Sequence, residues 1–361
     1  MKKIAMLGIA ALVAACGGAQ GDAFDRATPS FDTLALDMTE ADATPDESAQ
    51  PASEVQALDA ARDEPCHPHL FIRTHAFAAA FNAGVWRILR PIHELIGGFP
   101  RHRDGSTHVW ERVRNGIDWK YSIVKTGDHS FTATLEVKKV ADADFVTVYS
   151  ATVQRDPANH DGSGNATLDL DKLALVTGDS VSGQLAVRFV ATAAEKTVIG
   201  DMTNFKVNAE LARNGHSVFH KVSGKGGSLK LQDDLSLTCT GAVAMVPGLT
   251  PVQAVARWLV VSDGIHFRGD AGAVGGQVPA ADKWEGVTCA EGRAPRETYW
   301  MMKLENLATG QPESAASRQN TVETAAACDP AFGPVPKIDD ASADYDFSLV
   351  NFASDDPLPF P

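Results

Sequence analysis

Beyond Gly98 the chain settles into a period of two, which no helix can satisfy. Ile117, Trp119, Tyr121 and Ile123 alternate with Asp118, Lys120 and Ser122; Phe131, Ala133, Leu135 and Val137 alternate with Thr132, Thr134, Glu136 and Lys138. Successive side chains of a strand point to opposite faces, so this spacing predicts strands with one buried and one wet face. The pattern returns at 181–189, 205–211, 218–222, 235–243 and 252–260, and polar clusters such as 125–128, 141–144, 159–165, 213–215 and 262–264 separate the runs. Regular strands and short turns in this order predict an antiparallel meander.

One helix precedes it. Phe77, Phe81, Val85, Ile88 and Ile92 recur at steps of three and four and predict a helix over 70–96, ended by Gly97-Gly98. Arg73, Arg87 and Arg90 exclude a membrane span, and Pro91 is expected to kink or divide the helix. The expected fold is mainly β: a strongly curved antiparallel meander or open barrel with the helix on its concave face, a β-sandwich being the alternative.

The formal charge of −14 is unevenly spread. Residues 17–64 carry twelve acids against Arg26 and Arg62, and residues 329–361 carry seven against Lys337. Between 65 and 328 acids and bases balance at 27 each. The composition of 16–64 predicts a disordered acidic tether, and that of 329–361 an acidic, Pro-rich tail. Within the tail, the less polar stretch from Tyr345 to Phe352 is expected either to dock as a strand or to bind a partner. A single β-rich domain over 65–328 is left between them. Its electrical neutrality and export exclude nucleic acid as a partner.

The first residues give an address. Lys2 and Lys3 precede twelve uncharged, mostly apolar residues, Ile4 to Ala15, and the run Leu12-Val13-Ala14-Ala15-Cys16 follows the order aliphatic, small, small, cysteine. The apolar run suits a signal peptide and is shorter than the ~20 residues of a spanning helix. This run resembles the lipobox of bacterial lipoproteins. The resemblance covers residues 1–16 alone and implies a signal peptide over 1–15, acylation of Cys16 (diacylglycerol and, on the new amino group, a palmitate-type chain), and attachment to a membrane by lipid. By the family's sorting rule Gly17 implies the outer membrane, with the domain periplasmic or surface-exposed. The order of helix and meander is similar, in coarse layout only, to the half-barrel lipoprotein carriers of the LolA/LolB type.

Without Cys16 four cysteines remain, Cys66, Cys239, Cys289 and Cys328. In an exported domain they predict two disulfides with three connectivities, of which Cys66–Cys328 and Cys239–Cys289 are expected. Catalytic and metal signatures fail on inspection. His93-Glu94 lacks the second histidine at Gly97, and Gly224-Lys225-Gly226-Gly227-Ser228 has the wrong order for a phosphate loop. Centring a calcium loop on Gly162 puts Pro157 and Leu168 at its essential ends. Cys66-His67-Pro68-His69 with His75 fits no zinc spacing, so no metal or cofactor is expected. The basic stretch Arg87–Arg114 reads as a solvated rim balanced by Glu94, Asp104, Glu111 and Asp118. Large apolar side chains, Trp86, Trp258, Trp300 and Met302, are the candidates for the wall of a ligand cavity, and otherwise core. These readings favour a non-enzymatic envelope module that binds an apolar ligand or partner protein, or serves structurally; the alternative is a hydrolase of envelope polymers.

Overall fold

A computed structural model describes residues 24, 27–38, 70–155, 162–208, 211–235, 249–262, 264–292, 296–319, 332 and 350–358. The described residues form one antiparallel sheet of 15 strands in which every strand pairs with its neighbours in sequence. The strands are β1 (His102–Arg103), β2 (Thr107–Arg114), β3 (Ile117–Lys125), β4 (Ser130–Lys139), β5 (Val146–Arg155), β6 (Gly162–Asp169), β7 (Val181–Ala191) and β8 (Glu195–Val207). They continue with β9 (Arg213–Val222), β10 (Gly226–Leu235), β11 (Thr250–Val261), β12 (Gly264–Val274), β13 (Asp282–Gly292), β14 (Arg296–Asn306) and β15 (Pro312–Gln319). The sheet does not close into a barrel, so the curved open meander is the fold and the sandwich is not. Bulges at 135/136, 182/184, 202/205 and 289/290 sharpen its twist. At the second of these Gly183 has a positive φ, and a Cβ there would lie 2.6 Å from the Asn204 carbonyl oxygen. Only glycine fits.

Among the described residues three helices accompany the sheet: α1 (Phe31–Leu34), α2 (Leu70–Ile96) and α3 (Leu170–Thr177). The first turn of α1 is capped by Ser30, and that of α3 by Asp169, whose carboxylate accepts from the Lys172 amide at 3.0 Å. Helix α2, about 40 Å long at 1.5 Å per residue, crosses the concave face from the late strands to the early ones. The Leu70 amide donates to Thr288 Oγ1 of β13 at 3.2 Å, and Phe71 meets Phe267 of β12 edge-on. Midway, Phe81 sits against Gly200 of β8, where a Cβ would come within 2.4 Å of its ring. Beyond the far end, Trp110 of β2 donates to the Gly98 carbonyl at 3.1 Å. Phe77, Phe81, Val85, Ile88, Leu89 and Ile92 are buried along the way. Each contributes about 1.5–3 kcal/mol of burial. The helix runs unbroken through Pro91. The proline removes one N–H, and the carbonyl it would have served belongs to the exposed Arg87, where water can accept the role.

Two stretches expected to be free tails are packed. Phe24 stacks on His108 of β2, Thr28 shares a 2.9 Å hydrogen bond with Tyr121, and Phe31 meets Trp86 of α2. Asn82 of α2 holds Leu36 on both sides, accepting from its amide at 2.7 Å and donating to its carbonyl at 3.2 Å. Asp37 then pairs with Lys196 and, at 2.5 Å, with Lys221. So residues 27–38 belong to the core and are no tether; the rest of the predicted tether and the signal peptide lie outside the described residues, save Phe24. The reason is local: Phe31, Leu34, Leu36 and Met38 bury a concentrated apolar face that the average over 48 residues conceals. At the other end residues 350–358 dock on the outer face of the sheet in bends and turns; of the stretch expected to dock as a strand or bind a partner, residues 345–349 lie outside the described residues.

Candidate functional site

The concave face offers little room. Segment 27–38, α2 and α3 cover it, and Trp258, Leu229, Phe219, Phe205 and Met302 are fully buried beneath or beside them. The described recess lies elsewhere, where β8 to β13 reach one rim of the sheet. It holds about 770 Å³ and is lined by Asp201, Met202, His216, Gln232, Asp233, Asp234, Val252, Gln253, Ala273 and Lys283, among others.

Two groups in this recess stand out chemically. Asp201 and His216 are directly opposite partners in the β8–β9 register, and His216 Nδ1 lies 2.7 Å from Asp201 Oδ1. That hydrogen bond, against some burial, holds the Asp201 carboxyl below its usual range. On its other side His216 Nε2 is 3.5 Å from Asp355 Oδ1, and Arg188 meets Asp355 Oδ2 at 2.7 Å. The second group is Asp233. Its side chain is wholly buried; Oδ2 receives Arg213 at 3.2 Å, and Oδ1 has no hydrogen-bond partner among the described residues. Burial raises its carboxyl to about 7 despite the opposing Arg213 charge.

A second polar cluster is buried on the outer face of β12–β14. Arg268 grips Asp270 through two hydrogen bonds of 2.9 Å and donates to the Phe332 carbonyl at 3.5 Å. Beside it Lys303 bridges Glu285 at 3.0 Å and Glu305 at 2.5 Å, while Lys283 also pairs with Glu285. Burial pushes the Glu285 carboxyl up, opposed by Lys283 and Lys303. These side chains answer one another, and of them only Lys283 reaches the recess.

The cavity-wall candidates are placed as follows. Trp86 packs edge-on against Phe31, and Trp258 of β11 stacks on Phe219. Trp300 and Met302 lie on the concave side of β14, 8% and 0% exposed, within the same continuous core. Trp258, Trp300 and Met302 are core residues, Trp86 packs partly buried against that core, and none of the four lines the recess at β8 to β13. Cys289 is buried on β13; Cys16, Cys66, Cys239 and Cys328 lie outside the described residues, as do His67 and His69. The basic stretch is paired as a rim: Arg87 with Asp179, Arg90 and Arg114 with Glu94, Arg101 with Glu111, and His102 with Asp104. Among the described residues no group of three His, Cys, Asp or Glu side chains could hold a metal, and no helix is long and apolar enough to cross a membrane.

The sequence reading missed Asp201, His216 and Asp233. Asp201 and His216 meet only through the register of β8 and β9, with Asp233 on the opposite face of the sheet against Gly215, and counting that register requires knowing where β9 begins. Arg213-Asn214-Gly215 reads as a turn, yet β9 starts at Arg213 and Gly215 pairs with both Met202 and Asp233. No protein-family model, curated protein or solved structure matches the chain.

Proposed function

We propose that the protein is an envelope module held to the outer membrane by acylated Cys16, and that it binds a ligand or partner without turning it over. The observation that carries the binding reading is the rim recess with its engaged histidine. Both ring nitrogens of His216 face carboxylates, Asp201 and Asp355, so the imidazole is committed to holding structure and has no free nitrogen to present to a substrate. The recess nonetheless offers Gln232 and Gln253, opposite partners across β10–β11 on the face that carries His216, an array suited to a polar ligand. The filled concave face moves the ligand away from the apolar cavity first expected and toward this rim. Disulfides Cys66–Cys328 and Cys239–Cys289 belong to the same proposal, as the staples of an exported domain.

Native mass spectrometry on protein released gently from membranes tests the binding reading. It is expected to find a retained polar ligand that is lost in Gln253→Ala; a ligand-free wild-type protein overturns it. For the anchor, Cys16→Ser is expected to shift the protein to the soluble fraction or leave uncleaved precursor. A mature, membrane-bound variant removes the anchor from the account.

One observation favours a hydrolase of envelope polymers as a second reading. A carboxyl held near 7 can both take and give a proton under working conditions. Hydrolysis of peptidoglycan or polysaccharide that Asp233→Asn abolishes, with folding intact, would establish it.

A further inference from the structure

We propose that the outer face of β7–β10 is a recognition site for an acidic, turn-forming peptide, filled in the resting chain by its own Asn351–Asp356 and open to an acidic segment of a partner protein when that piece is released. The centre of the site is Lys230. It stands on the outer face of β10, only 3% exposed, where an early strand of the same sheet such as β4 carries partly exposed residues. An ammonium group has three N–H donors. Here they meet three main-chain carbonyls, of Asn351 at 2.8 Å, Ser354 at 2.6 Å and Asp356 at 2.9 Å. Three carbonyls converging on one cation require a tight turn, so Lys230 reads backbone shape.

Side chains add a second layer of recognition. Asp355 reaches Arg188 of β7 at 2.7 Å and His216 of β9 at 3.5 Å, so its carboxylate spans two side chains two strands apart. Phe352 is buried, 5% exposed. The bound piece also holds its own shape. Asn351 Oδ1 accepts from the Ala353 amide at 3.1 Å, and Ser354 Oγ accepts from the Asp356 amide at 3.0 Å and donates to the Asp356 carboxylate at 2.7 Å. A peptide that forms its turn before docking loses less freedom on binding. Burial lowers the Lys230 ammonium, with Asp356 and Asp355 opposing, as expected for a cation whose compensation comes from the docked piece.

Lysine is an expensive choice if the only task were to pin a chain end. A leucine or phenylalanine at that position would hold the segment without burying a cation, and would expose apolar surface when the segment lifts, whereas lysine then regains water. With Lys230 and Arg188 the vacated site is a cationic socket, flanked by His216, that selects an acidic replacement. This site shares only His216 with the rim recess, so its failure leaves the recess reading standing.

The test uses the full chain, a chain ending at Leu349, and a fluorescent peptide of residues 347–360. The shortened chain is expected to bind the peptide saturably. Lys230→Met should weaken that binding at least tenfold, as should Asp355→Asn or Phe352→Ala within the peptide. The intact chain, its site already filled, should bind at least tenfold more weakly than the shortened one. A folded shortened chain that ignores the peptide overturns the proposal. So does equal competition by a scrambled peptide of the same composition, which would reduce the site to a charged patch. If the shortened chain does not fold, the full chain carrying Phe352→Ala and Asp355→Asn takes its place. That variant must capture the wild-type peptide better than the wild-type chain does; equal capture overturns the proposal.

Discussion

The early and late halves of this one sheet obey different rules. In β4 and β7 burial alternates residue by residue, as expected of strands with core on one side and water on the other. In β10, β12 and β13 seven or more residues of each strand are buried, and both faces are covered. Outer-face charges differ accordingly. Lys120 and Glu136 pair across β3–β4 at 2.8 Å, each a quarter to a third exposed, whereas Glu285 and Lys303 are 0% and 4% exposed. The same pair of residue types is thus a solvated decoration in one half and a buried, desolvated framework in the other.

This contrast can be broken or sharpened by substitution. The largest effect is expected from Lys303→Met, which leaves Glu285 and Glu305 facing each other without their shared cation. Removing one member of a buried pair costs about 3–5 kcal/mol, and urea unfolding should show a loss of that order. A loss below about 1 kcal/mol would mean that water reaches the cluster and that the two halves do not differ.

The next effect depends on pH. Asp233 is raised from 3.8 to about 7 on folding, so the folded state binds the extra proton between those values. Stability from this group is therefore greatest at low pH, falls as pH rises from about 4 to about 7, and stays low above. Asp233→Asn should flatten that part of the profile, a change on the order of a few kcal/mol. An unchanged slope between pH 4 and 7 would show that Asp233 titrates normally.

In the wet half the effects should be small. Asp169→Ala removes the cap of α3 and is expected to cost about 1 kcal/mol. Lys120→Met should cost at most about 1 kcal/mol, visible as little or no shift in the thermal midpoint. A loss of 3 kcal/mol there would erase the comparison.

The same difference explains which strands were legible. The periods of β3, β4 and β7 were readable because water on one face demands polar residues there. β12 reads Gly264-Ile265-His266-Phe267-Arg268-Gly269-Asp270-Ala271-Gly272, with small residues and paired charges in place of alternation. Once both faces are covered, glycine at 269 is set by approach to Leu70, and Arg268 and Asp270 answer each other and not the solvent. The pattern that marks a half-wet strand then has no cause.

By itself the sequence determined the helix over 70–96, the antiparallel meander and the face that each early strand buries, because these follow from local spacing and the cost of exposing apolar surface. Tertiary structure alone decided that residues 27–38 join the core, that the chain near 350–358 closes on Lys230, and that Asp201, His216 and Asp233 share one rim. Each of these depends on register and on contacts between residues far apart in the chain, such as Thr28 with Tyr121 and Lys230 with Asp356. Hydrophobic spacing carries no record of such pairings, since the free energy that fixes them appears only when both partners lose water together.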